Sequence, residues 1–262
     1  MARLFVSWVV LFSMTGLTAE PCAAAKDAKQ ASGPCEKKPA AACVAAGDAL
    51  ISTSACRAVA LERYQQACDR AELRGCSKLA FRLVENSREP AIVKRAIGLF
   101  TRACDGGDVL GCANLASFYW DGEGVAKDAK RSAQLSQKAC DGGDAFACGT
   151  LGSLWAQGEL GTKDVDKAAG LFRKACEGGS ASGCNQLGMA TAAGLGVAKS
   201  PEQAMTLWTK ACQGGNGAGC ANAGRYLRAK GDDRTAGKAF SRACRLGDQE
   251  ACSEKGFAPP EE

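Results

Sequence analysis

Sixteen of the 262 residues are cysteines and none is histidine. Thiols are therefore the main chemistry the chain carries. They can bridge, hold a metal ion, or act as redox or nucleophilic groups. The missing imidazole closes several routes at once: no Ser-His-Asp or Cys-His pair, no HExxH zinc site and no His-ligated haem can be built. Spacing sorts what remains. Twelve cysteines form six C-x7-C pairs: Cys68 and Cys76, Cys104 and Cys112, Cys140 and Cys148, Cys176 and Cys184, Cys212 and Cys220, Cys244 and Cys252. Zinc knuckles use C-x2-4-C and redox dithiols use C-x-x-C, and neither spacing occurs in this chain. The pairs are read as structural staples, with no metal and no cofactor. No S-x-x-K, G-x-S-x-G or Walker motif is present either, so no nucleophile or phosphate loop stands out.

The elements that carry the cysteines repeat. The first cysteine of each pair recurs every 36 residues four times and then after 32, and a fixed period of this size marks a repeat array. Alanine always precedes it (Ala67, Ala103, Ala139, Ala175, Ala211, Ala243). Four residues before it lies an aromatic (Tyr64, Phe100, Phe172, Trp208, Phe240), with Ser136 the exception. Eight before it is a small residue, Ala96 or Ala168 for example. These offsets share one face of a helix. Gly-Gly follows at 106–107, 142–143, 178–179 and 214–215 and stops that helix. Asp108, Asp144, Ser180, Asn216 and Asp248 then stand where an N-cap opens a second helix. Its apolar face reads Cys112, Leu115, Ala116, Tyr119 and, one period on, Cys148, Leu151, Gly152, Trp155. Glycine-rich loops close each unit. One helical pair cannot bury its own face, so units must stack as an all-α solenoid of about six repeats.

Outside the array the composition changes. Leu4 to Leu17 form one apolar run after Arg3, too short for a bilayer span and fitted to a secretory signal peptide cut after Ala19 or Ala25. Residues 1–25 are assigned to it and residues 26–53 to a flexible leader with a degenerate half-repeat. The solenoid runs from 54 to 258, and 259–262 are a tail. Export implies a secreted or periplasmic protein, with membrane contact only through the signal peptide, in a compartment where thiols oxidise. Cys35 and Cys43 keep the C-x7-C spacing and are a candidate bridge. Cys22 and Cys56 fit no such pair. They either pair with each other or, if Cys22 is removed with the signal, leave Cys56 odd.

The segments GEGVAKDAKRSAQLSQKACDGGDAFACGTLGSLWAQG and GTKDVDKAAGLFRKACEGGSASGCNQLGMATAAGLGVAK resemble Sel-one-like repeats, relatives of the tetratricopeptide repeat. The alanine, the Leu-Gly of the second helix and the closing G-x-G-V loop carry the likeness. A cysteine pair in every unit is similar to the secreted cysteine-rich subgroup typified by the Helicobacter cysteine-rich proteins. The resemblance implies a right-handed α/α superhelix with one disulfide per repeat. The positions agree, since one cysteine ends a helix and its partner opens the next. It also implies a scaffold that binds a protein or peptide. A β-lactamase or penicillin-binding activity, described for some relatives, is the alternative.

A net charge of +5 is too mild to argue for nucleic acid. One basic stripe is a candidate site. Arg102, Lys138, Lys174, Lys210 and Arg242 each lie two residues before a first cysteine. At this period they form a ladder along the first helices, expected on the concave side, where they suit an acidic partner. The competing reading is that each lies over its own helix and offsets nearby acids.

Overall fold

The structure, a computed structural model, describes Cys35 and residues 39–254. The signal-peptide run, Cys22, most of the leader and the tail lie outside those residues. Among the described residues there are thirteen α-helices and no strand: α1 (Ala40–Ile51), α2 (Arg57–Asp69), α3 (Leu73–Asn86), α4 (Pro90–Asp105), α5 (Val109–Asp121), α6 (Ala129–Asp141), α7 (Ala145–Gln157), α8 (Val165–Glu177), α9 (Ala181–Ala193), α10 (Pro201–Gln213), α11 (Gly217–Ala229), α12 (Asp233–Arg245) and α13 (Gln249–Cys252). A 3-10 turn, Ser54–Cys56, precedes α2. The helices pack in sequential order as a solenoid. Even-numbered helices are the first of each pair and odd-numbered helices the second. None is long and apolar enough to cross a membrane. The chain divides into two compact units, Met1–Gly75 and Cys76–Glu262.

Within Cys76–Glu262 one turn recurs. After α4, the Gly107 and Asp108 amides donate to the Cys104 and Ala103 carbonyls at 3.0 and 2.9 Å. Gly107 takes φ +98°, which an L side chain rarely adopts. The preceding glycine serves another purpose. A Cβ on Gly178 would stand 2.8 Å from that of Ala145, and one on Gly214 the same distance from Ala181. That glycine lets the end of one first helix abut the start of the preceding second helix. The expected caps form. Asp108 accepts from the Gly111 amide at 2.9 Å and Asp144 from the Ala147 amide at 2.7 Å. Asp232 caps α12 by accepting from the Thr235 amide at 3.0 Å. Hydrogen bonds from Thr235 hold this carboxyl below its ordinary pKa.

The turn brings the cysteines together. Cys104–Cys112, Cys140–Cys148, Cys176–Cys184, Cys212–Cys220 and Cys244–Cys252 are bridged, with Cα–Cα distances of 4.5, 4.7, 4.4, 4.5 and 4.7 Å. Cys56, Cys68 and Cys76 are disulfide-bonded as well, so Cys56 is no odd thiol.

Stacking is keyed by small residues against rings. On the second helices, Gly152, Gly188 and Gly224 face Phe172, Trp208 and Phe240, with room for no Cβ: it would sit 2.8, 2.6 and 2.8 Å from the ring. Ser136 breaks the aromatic column, and its buried hydroxyl has no hydrogen-bond partner. In the repeat before it, Phe118 of the second helix adds a ring 5.9 Å from that of Phe100. Successive second helices also touch: α5 with α7, α7 with α9, and α9 with α11.

In Met1–Gly75 the same device appears once more. Gly47 of α1 lies against the Tyr64 ring of α2, and the Tyr64 hydroxyl donates to Asp48 at 2.8 Å. Residues 40–51 therefore act as a second helix, as a half-repeat requires. The turn after α2 carries Arg70-Ala71 in place of Gly-Gly, and Ala71 is the one non-glycine with positive φ among the described residues. The expected Cys35–Cys43 bridge is not formed, and both side chains are buried. Pro39 precedes α1 with no side-chain cap. The Cys43 thiol instead points to the Cys35 and Pro39 carbonyls at 3.8 and 4.0 Å.

Candidate functional site

The second helices α5, α7 and α9 differ in charge from the first helices beside them. The thirteen-residue helices α5, α7 and α9 hold one charged side chain between them, Asp121. Next to them α6 carries Lys130, Arg131, Lys138 and Asp141, and α8 carries Asp166, Lys167, Arg173, Lys174 and Glu177. A surface depleted of charge and carrying aromatic and methionine side chains has the make-up of an interface core. Large apolar side chains are exposed there. Phe146 is 58 % exposed, Met189 50 %, and Phe81 on α3 41 %.

Three cavities open on this face. The central one, about 240 Å³, lies over α5, α7 and the start of α9, and is lined by Trp120, Asp121, Phe146, Thr150, Ser153 and Gln186 among others. The second, about 290 Å³, is apolar and is lined by Val165, Ala169, Phe172, Met189, Ala193 and Leu195 with Ser153 and Gln186. Those last two side chains line both cavities, and Gln186 Nε2 donates to Ser153 Oγ at 3.4 Å. The third, about 140 Å³, shares Ser117 and Asp121 with the first and reaches Phe81, Arg88 and Glu123. Glu123 is matched by Arg88 at 2.7 Å. Together the cavities make a continuous neutral groove across four second helices, with Asp121 near its middle.

The basic stripe has a different environment. All five side chains are exposed, yet Lys138 Nζ donates to the Cys104 carbonyl at 2.6 Å and Lys210 Nζ to the Cys176 carbonyl at 3.1 Å. Each reaches back one repeat to the last turn of the preceding first helix, where carbonyls lack helical partners and a cation is favoured. Lys174 lies 3.6 Å from Asp141. In Met1–Gly75, Arg70 makes the equivalent contact, donating to the Cys35 carbonyl at 2.8 Å. The stripe thus ties repeat to repeat at Lys138 and Lys210. The structure does not gather Arg102, Lys174 and Arg242 with them into one pocket. The groove escaped the sequence reading, which looked for charge; the signal was its absence, helix by helix.

Comparison with known proteins agrees with this architecture. The Sel1 repeat family matches residues 93–108, 109–144, 147–180 and 181–216. Two of these segments begin at Val109 and Ala181, the first residues of second helices. No curated protein matches the chain. Among solved structures, a protective antigen of uropathogenic Escherichia coli with an SLR fold is 27 % identical, with a TM-score of 0.67 over 81 % of this chain. The chain spans 47 % of that protein's length. A Sel1 repeat protein of Oxalobacter formigenes is 23 % identical, with a TM-score of 0.65 over 83 % of this chain and 94 % of the other. Helicobacter pylori cysteine rich protein B is 32 % identical over 49 % of this chain and 95 % of its own, with a TM-score of 0.40. With its 36-residue helical pairs, its bridges and the matched segments between residues 93 and 216, the chain is built of Sel1 repeats.

Proposed function

We propose that this protein is an exported scaffold that binds a protein or peptide partner on the face formed by its second helices. The single observation that carries this reading is the neutral groove: one charged residue on α5, α7 and α9, beneath three connected cavities and exposed aromatic side chains. Contacts between successive second helices support placing this face on the inner side of the stack in Cys76–Glu262, where an elongated partner meets several repeats at once. The Sel1 repeat fold supports a protein-interaction role. Export rests on the bridges, which persist in oxidising compartments, and on the apolar run at Leu4 to Leu17.

The test is to isolate the partner from the exported fraction with the mature protein, then repeat with Phe146→Glu and with Lys174→Glu. Phe146→Glu should abolish recovery of the partner and Lys174→Glu should leave it unchanged. The opposite pattern would move the partner to the first helices. The β-lactam alternative is checked alongside with a chromogenic cephalosporin, for which no turnover is expected.

A further inference from the structure

Asp121 is the one charge on three consecutive second helices, and it lines a cavity together with Trp120 and Phe146. A partner that covered this carboxylate without offering a cation or a donor would strip its water and return nothing. A cationic partner group would offset that loss with its own charge. The flanking rings add to the same preference, because the faces of Trp and Phe attract a desolvated cation. Lys167 against the Trp155 ring, at 3.7 Å, shows this pairing within the chain itself. The neighbouring cavity is of the opposite kind. Its lining of Val165, Ala169, Phe172, Met189 and Leu195 holds no charge, and it meets the first cavity at the Ser153–Gln186 hydrogen bond.

We infer that the groove recognises a peptide segment carrying one Arg or Lys and, a short distance along, one aliphatic side chain. The cation enters the Trp120–Asp121–Phe146 cavity, and the aliphatic group fills the apolar cavity over α8 and α9. This rests on the proposed binding role and adds the chemistry of the partner. It reverses the acidic partner expected from the basic stripe: Lys138 and Lys210 are spent on repeat-to-repeat contacts, whereas among the described residues no ion pair or hydrogen bond engages the Asp121 carboxylate in its cavity. The amide and hydroxyl groups between the cavities, on Thr150, Ser153 and Gln186, suit the peptide backbone that joins the two side chains.

The experiment uses fluorescein-labelled ten-residue peptides in a Gly/Ser background. Each carries one Arg and one Leu at spacings from one to five residues. Matched sets replace Arg with Glu, or Leu with Ala. Anisotropy is read with the full mature protein and with Asp121→Lys, Met189→Glu and Phe146→Glu, each first shown to keep its helical circular dichroism. The Arg–Leu set should bind at a preferred spacing, at least tenfold tighter than either replacement set. Asp121→Lys should invert the charge preference toward Glu–Leu, and Met189→Glu should remove the Leu dependence. Equal binding of the Glu–Leu and Arg–Leu sets, or no response to Asp121→Lys, would overturn the inference. If such charge-blind binding is still lost in Phe146→Glu, the groove remains the docking face and only the partner chemistry falls. If binding is unaffected by Phe146→Glu, the proposed binding face falls with it.

Discussion

The paired helices α6 and α7, and likewise α8 and α9, share a length and a disulfide but have opposite surfaces. First helices such as α6 and α8 are dense in charge. Second helices α5, α7 and α9 are almost uncharged and expose aromatic and methionine side chains. Propensity does not account for this, since charged residues are good helix formers on any exposed face. The first helices spend charge on holding the stack together, through Lys138 and Lys210, and on solvation. The second helices keep a surface that is cheap to dehydrate. In a repeat array the residues that join units and the residues that meet a partner can sit on different helices of the same unit.

Several substitutions would break or sharpen this contrast. The largest effect should come from rings that key the stack. Phe100 is fully buried, and Phe100→Ala should cost about 3–5 kcal/mol in urea unfolding. Phe146→Ala, on the exposed groove, should stay within about 0.5 kcal/mol. Equal losses would mean that the groove ring is structural. Next comes the staple. Replacing Cys140 and Cys148 together by alanine opens a loop of sequence separation 8 and should cost roughly 2.5 kcal/mol by loop entropy, read as a lower unfolding midpoint. A smaller contrast lies within the basic stripe. Lys138→Met removes a 2.6 Å contact to a helix-end carbonyl and should cost about 1 kcal/mol. Lys174→Met removes only an exposed 3.6 Å pair and should cost about 0.5 kcal/mol or less. Matching losses would erase the distinction between clamp and surface lysines.

The smallest effect concerns pH. The carboxyls of Asp232, which caps a first helix, and of Glu254, which follows a second, are held below their ordinary values. The causes are the Thr235 hydrogen bonds and the Arg228 contact at 2.6 Å. Carboxyls lowered on folding add stability that is complete above the ordinary carboxylate range and is lost as pH falls through their folded values. The last helical pair should therefore loosen below about pH 4, and Asp232→Asn should shrink that acid-dependent loss in a thermal melt followed across pH.

Most of the fold was legible because its signals are local. The cysteine period, the Gly-Gly stops and the caps at Asp108, Asp144, Ser180 and Asn216 each follow from one short stretch of chain, and the structure shows them at work. The Cys35–Cys43 bridge failed on the same logic. Its spacing matched, but spacing alone does not form a bridge, and Pro39 precedes α1 without the side-chain cap that Asp108, Asp144 and Ser180 supply. The groove was harder to see. Phe81 and Met189 share one register position, five past the second cysteine, but Ser117 and Ser153 hold it in the repeats between, and Phe146 lies elsewhere, so no column of identical residues announces them. The lysine column was visible, yet its role depends on the Cys104 and Cys176 carbonyls one repeat away. Spacing alone does not show which neighbour a long side chain will reach.

The division of labour between the two helix sets can be measured directly by recording the amide NMR spectrum of the uniformly 15N-labelled mature protein while adding the tightest Arg–Leu peptide. The account predicts shifts concentrated at Trp120, Phe146, Ser153, Gln186 and Met189, with Lys138, Lys174 and Lys210 unmoved. Shifts centred on those three lysines, with the second helices silent, would contradict it.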